Sequence, residues 1–178
     1  MFFNYFDTLK TLDDKIDASN YKFLIIYSRN NKIKEFIDIT HNTLIEKYNV
    51  KNENIIQYAV PHLYLTLYSI NHIINASKME GASFDAIICI SSSYNDSIKV
   101  DALRCNLNPI SHCFLKLSMK IDIPIIYDIY HSDIYNMNDE KQAIIWADAA
   151  IEMADFHSIK RMYITYCILY YIYIYIYI

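Results

Sequence analysis

The amino-acid sequence predicts a three-layer α/β/α fold built on a four-stranded parallel sheet. Two observations predict it. Four short apolar runs of strand length recur along the chain, and stretches with apolar residues at helical spacing separate them. The runs are close to continuously apolar, as strands are when helices cover a parallel sheet on both faces.

"YKFLIIYS" (Tyr21–Ser28) reads as the first buried strand. Residues 33–47 follow with Ile33, Phe36, Ile37, Leu44 and Ile45 at helical spacing. "NIIQYAVP" (Asn54–Pro61) is the second strand, closed by its proline. Tyr64 to Met79 is helical, with Leu67, Ile70, Ile74 and Ala76 apolar. "FDAIICIS" is the third strand, apolar without a break from Ala86 to Ile90. Small polar residues follow it, then a helix from Val100 to Lys120 with a point of interruption at Pro109. "IPIIYDIY" (Ile123–Tyr130) is the fourth strand. The last helix begins near Asn138, with Asp139 and Glu140 in its first turn and Lys160 and Arg161 near its expected end, as the helix dipole favours.

Three regions follow: an arm or short extra helix over residues 1–20, one domain over 21–161, and a tail over 162–178. The tail carries no charge and ends "YYIYIYIYI". Its alternation suits a strand, and it has the composition of a sticky segment without a gatekeeper charge. Its 17 residues, half of the terminal run tyrosine, fall short of a membrane span. The plain reading is a low-complexity segment with no specific role.

Composition narrows the function. The 178 residues are 54% hydrophobic and 20% charged, enough for one core and too apolar for a disordered chain. The net charge of −4 and the lack of a basic block argue against nucleic acid as a partner. Cys89, Cys105, Cys113 and Cys167 form no CxxC pair and no zinc spacing. The N-terminal "MFFNYFDTLKTLDDK" lacks the basic start of a secretory signal, so a cytoplasmic protein is expected, with no membrane partner. The chain has one glycine where average usage gives about twelve, and 18 tyrosines. Its richness in Ile, Asn, Lys and Tyr points to AT-biased coding.

In an open α/β sheet, ligands bind where strands give way to helices. Four such segments, and the last helix, carry a resemblance. "YSRNN" after the first strand resembles the "SRFN" of 6,7-dimethyl-8-ribityllumazine synthases. "AVPHLYLTL" after the second resembles their "VPGAFEIP", and "FDAIICISSS" their "yDAvIaLGvVI". "IPIIYDIYHSD" matches "vPVIFGVLTtD" in spacing, and "AAIEMA" matches the C-terminal helix. The resemblance covers about residues 21–157. It implies a flavodoxin-like sheet assembled into homopentamers, sometimes into sixty-subunit icosahedral shells. It also implies condensation of 5-amino-6-ribitylaminouracil with 3,4-dihydroxy-2-butanone 4-phosphate in riboflavin biosynthesis, without metal or organic cofactor. The active site then lies between neighbouring subunits.

The resemblance assigns substrate contacts unevenly. The pyrimidine-stacking aromatic of the family falls on Asn30, and the "AFE" segment falls on Leu63, Tyr64 and Leu65, which loses its carboxylate. His62 replaces a glycine and needs a different backbone if that glycine had positive φ. The backbone shelf corresponds to Ser92, Ser93 and Tyr94, and the Glu-Thr phosphate cradle to Ser97 and Ile98. The catalytic His falls on Val100, so no catalytic residue is retained. The aromatic after the fourth strand's proline is kept as Tyr127, and the phosphate-binding Arg falls on Lys141, a point charge without Arg's fork. His62 and His131, which follow strands, are the available proton shuttles, although solvated or structural roles are the simpler reading. Weakened lumazine synthase activity is the expectation, beside two alternatives: a catalytically inactive oligomer on the same scaffold, or an unrelated flavodoxin-like binding module.

Overall fold

Each predicted strand is present, and all four pair in parallel. The computed structural model describes residues 16–92, 100–130 and 139–177, with the side chains at 63, 64, 92, 100–108, 130, 139 and 160–177 not described. The elements are β1 (Phe23–Ser28), α1 (Asn31–Glu46), β2 (Ile55–Val60), α2 (Leu63–Met79), β3 (Ala86–Ser92), α3 (Val100–Ile121), β4 (Ile125–Tyr130) and α4 (Asp139–Tyr177). A short 3₁₀ turn, Asn52–Asn54, leads into β2.

The sheet order is β2-β1-β3-β4. The chain moves from β1 to one neighbour, β2, then crosses back to the other side at β3. This is the order of a flavodoxin-like three-layer fold, and it makes the gap between β1 and β3 the topological switch point.

Strand parity divides the core into two layers. Phe23, Ile25, Ala86, Ile88 and Ile90 face α1 and α4, where they meet Ile33, Ile37, Trp146 and Ile151. Leu24, Ile26, Ile87 and Cys89 face the other way, against Ile70 and Ile74 of α2 and Phe114 of α3. Continuous apolar runs are therefore required: each residue of β1 and β3 meets a helix on its own face. Each fully buried Ile or Leu contributes about 1.5–3 kcal/mol of burial free energy.

Three helices end on residues with positive φ: Asn49 after α1 (φ 59), Gly81 after α2 (φ 72) and Asp122 after α3 (φ 55). After α1, Asn49 N donates to Ile45 O and Val50 N to Leu44 O, which satisfies carbonyls of the last turn. The chain's single glycine sits at one of these left-handed positions; Asn and Asp, which tolerate that region best after glycine, hold the others.

Two expectations need correction. Pro109 does not interrupt α3, which runs through it. The ring removes one backbone bond, to Cys105 O, and Pro109 lies on the exposed side of the helix. The last helix does not end near Arg161 but continues to Tyr177, so Lys160 and Arg161 lie inside it and its last turn has no basic residue. Extending an existing helix adds a hydrogen bond per residue without a new nucleus, and no Gly or Pro stops it. The Tyr/Ile alternation therefore does not produce a strand here. Of the expected arm, residues 1–15 lie outside the described residues, while Ala18 is buried and its N–H donates to Tyr48 O at 3.2 Å. Among the described residues, no helix is long and apolar enough to cross a membrane.

Candidate functional site

At the C-terminal edge of the sheet, the described segments that follow β1 and β2 carry the first candidate residues. Asn30 is the N-cap of α1: its backbone is extended, and its side-chain Oδ1 accepts from Lys32 N at 2.9 Å. The Asn30 side chain is thus engaged in starting a helix. After β2, His62 is the N-cap of α2 with φ −148 and ψ 155. This is ordinary extended backbone, so His62 carries no strain here. Leu63 and Tyr64 form the first turn of α2, and Leu65 is 42% exposed. Lacking a carboxylate, Leu65 offers a ligand apolar contact only.

At the switch point itself the buried side chains are hydroxyls. Ser28 ends β1, Ser91 lies near the end of β3, and Thr66 comes in from α2; all three are buried. Thr66 Oγ1 and Ser91 Oγ lie 3.3 Å apart, within hydrogen-bonding range. Such a group orients and donates hydrogen bonds, but it does not move protons near neutral pH. Sequence reading passed over Thr66 and Ser91. The signal was available: Ser91 has the strand parity of Cys89 and so faces α2.

β4 carries a different set. Tyr127 pairs with Cys89 in the ladder and stacks on Phe114, ring centroids 4.9 Å apart with planes 8° from parallel. It is 37% exposed on the wall of a cleft of about 500 Å³ between α3 and β4, which is also lined by His112, Leu115, Ile125 and Met153. One residue on, Asp128 faces α4 and accepts from Trp146 Nε1 at 3.0 Å and Gln142 Nε2 at 3.3 Å. Lys141 is exposed in the first turn of α4.

The structure therefore gathers Asn30, Leu63, Tyr64, Leu65 and the backbone of Ser92 toward one edge of β2-β1-β3. Tyr127 lies on β4, next to β3 and farthest from the residues that follow β2. β2 and β4 lie on opposite sides of the sheet, three strand spacings or about 14 Å apart. Ser93, Tyr94, Ser97, Ile98 and His131 lie outside the described residues. Val100 is the first residue of α3.

Burial pushes the Cys89 thiol well up, so it is held as a neutral core group. Among the described residues, no cluster of His, Cys, Asp or Glu could hold a metal ion.

No family model matches the chain, and a search of curated proteins gives no significant match. The reading of the site therefore rests on the residues and their placement.

Proposed function

We propose that the chain is a lumazine-synthase-like protein of riboflavin biosynthesis. It condenses 5-amino-6-ribitylaminouracil with 3,4-dihydroxy-2-butanone 4-phosphate, at reduced rate, in a cytoplasmic homopentamer or larger icosahedral shell. One observation carries the reading: β1, β2 and β3, after which the segments resembling the family's substrate loops come in the sequence, are parallel neighbours that end on one edge of the sheet. In this reading a neighbouring subunit completes the site, as in that family.

In this reading the protein works mainly by holding two reactive substrates together. Effective molarity alone can remove about 7–11 kcal/mol of a barrier when the reacting atoms are well aligned. Asn30 and Leu65 flank the pyrimidine, the backbone of Ser92 lines it, and Tyr127 and Lys141 of the next subunit supply ring contact and a phosphate countercharge. No metal or organic cofactor takes part. Val100 in place of a proton-transferring His removes a factor of about 10²–10⁴.

The second reading is a catalytically inactive oligomer on the same scaffold. Val100, Leu65 and Asn30 favour it, because each replaces a group that binds or reacts in the family by one that does not. Purified protein with both substrates separates the two: lumazine chromophore forms above the uncatalysed rate in the first case and at that rate in the second.

A further inference from the structure

The core layer under α2 changes character toward the C-terminal end of the sheet. Leu24, Ile26, Ile70, Ile74 and Ile87 fill it with aliphatic side chains. Near the end of β3 two hydroxyls take over. Thr66 of α2 and Ser91 of β3 are both fully buried, and their oxygens lie 3.3 Å apart. Ser28, with the strand parity of Leu24 and Ile26, is buried on the same face. Leu65 immediately precedes Thr66, and Ser92 immediately follows Ser91. Each hydroxyl of the pair is therefore one residue from a candidate substrate contact.

Stability does not require hydroxyls at these two places. Val at 66 and Ala at 91 would fill nearly the same space, and replacing both partners of a buried hydrogen bond by apolar groups of like shape is close to neutral. An apolar pair lacks direction, however. Hydrophobic contact is non-directional and lets two elements slide, whereas a hydrogen bond holds a distance and an angle. The start of α2 is where such a constraint has work left to do. Its N-cap, His62, makes no side-chain cap hydrogen bond, whereas Asn30 caps α1 through its side chain. Ile70 and Ile74 seat the helix on the sheet only from one and two turns beyond Thr66.

We infer that Thr66 and Ser91 are positioning residues. Their hydroxyl pair sets the first turn of α2 against the end of β3, and so sets Leu65 against the backbone of Ser92. The inference rests on the proposed function, in which those two groups line the pyrimidine. Thr66 and Ser91 are fully buried, so they act through their chain neighbours and not by touching the substrate. Their loss should loosen substrate binding and leave the overall stability of the fold nearly unchanged.

The test compares the full chain with the double variant Thr66→Val/Ser91→Ala and the conservative variant Thr66→Ser. Hydrogen–deuterium exchange read by mass spectrometry needs no substrate. In the double variant, amides of residues 65–69 and 88–92 are expected to exchange about two- to tenfold faster than in wild type, while those of α1 keep their rates. Thr66→Ser keeps the hydroxyl and is expected to stay at wild-type rates. Unchanged exchange at 65–69 and 88–92 in the double variant overturns the inference. So does an equal acceleration in α1, because the pair then serves overall stability. Initial rates with both substrates add the functional arm. The double variant is expected to raise KM for 5-amino-6-ribitylaminouracil by about two- to tenfold with kcat nearly unchanged, and Thr66→Ser to restore it. A wild-type KM in the double variant overturns the inference even where exchange is faster. A wild-type rate equal to the uncatalysed one sinks the lumazine reading instead, and the exchange rates then decide the positioning role by themselves.

Discussion

Trp146 donates its indole N–H to Asp128 across 3.0 Å, tying α4 to the edge strand β4. The ring is buried and meets Phe36 of α1 edge-on, with centroids 6.3 Å apart. This hydrogen bond is one of those that hold α4 against the rest of its layer, beside Gln142 to Asp128 and Tyr21 to Asp155. Asp128→Ala leaves the indole without this acceptor and is expected to lower stability by about 1–3 kcal/mol. Asp128→Asn keeps an acceptor oxygen and should cost less. Urea titrations followed by fluorescence read this directly, since Trp146 is the chain's only tryptophan. Equal midpoints for wild type and Asp128→Ala would show that the contact is idle.

The Tyr21 phenol is pushed up to about 12, first by burial and then by the Asp155 carboxylate it donates to. The folded protein therefore holds this proton more tightly than the unfolded chain does. The corresponding stability is fully present below pH 10 and is lost as the pH rises toward 12. Tyr21→Phe removes the titrating group, so its unfolding midpoint should fall less steeply across that window than wild type. Parallel midpoint-versus-pH curves for the two proteins contradict this.

Asn49 holds a left-handed backbone (φ 59) at the end of α1. Asn49→Ala is expected to cost roughly 1–2 kcal/mol, because a Cβ without a compensating polar group meets the following carbonyl. Asn49→Gly is expected to be neutral or to gain up to about 1 kcal/mol, offset by the greater freedom of the unfolded chain. Thermal melts of the two variants should therefore move apart.

Much of the fold was legible because parallel strands buried on both faces leave long apolar runs. Phe23–Ile26 and Ala86–Ile90 could be read directly. The end of α4 was not legible: Tyr/Ile alternation fits a strand, and only the continuity of an existing helix overrides it. Pro109 misled for a similar reason, as a single lost bond on an exposed helix face does not end a helix of 22 residues. At the site, the order of loops was readable but the contacts were not. Asn30 is two residues from a strand end, yet nothing in the one-dimensional pattern says that its side chain caps α1. Thr66 and Ser91 meet only because α2 crosses over β3, so that pair needed the topology first.

Val100 begins α3 at the position where the resemblance places a proton-transferring His. Under the proposed function, Val100→His is expected to raise the rate of lumazine formation by about 10²–10⁴. The gain should fade as the pH falls below the imidazole's usual value of about 6.5. Unchanged rates for a folded Val100→His protein would remove Val100 as the cause of slow turnover.

The central claim is that this scaffold still unites the two substrates although proton-transfer residues are missing. The most direct measurement is the initial rate of lumazine absorbance with both substrates and purified full-length protein, against the same mixture without protein. The account predicts a rate above the uncatalysed one, proportional to protein concentration and abolished by denaturing the protein. A rate equal to the uncatalysed reaction at every protein concentration contradicts it.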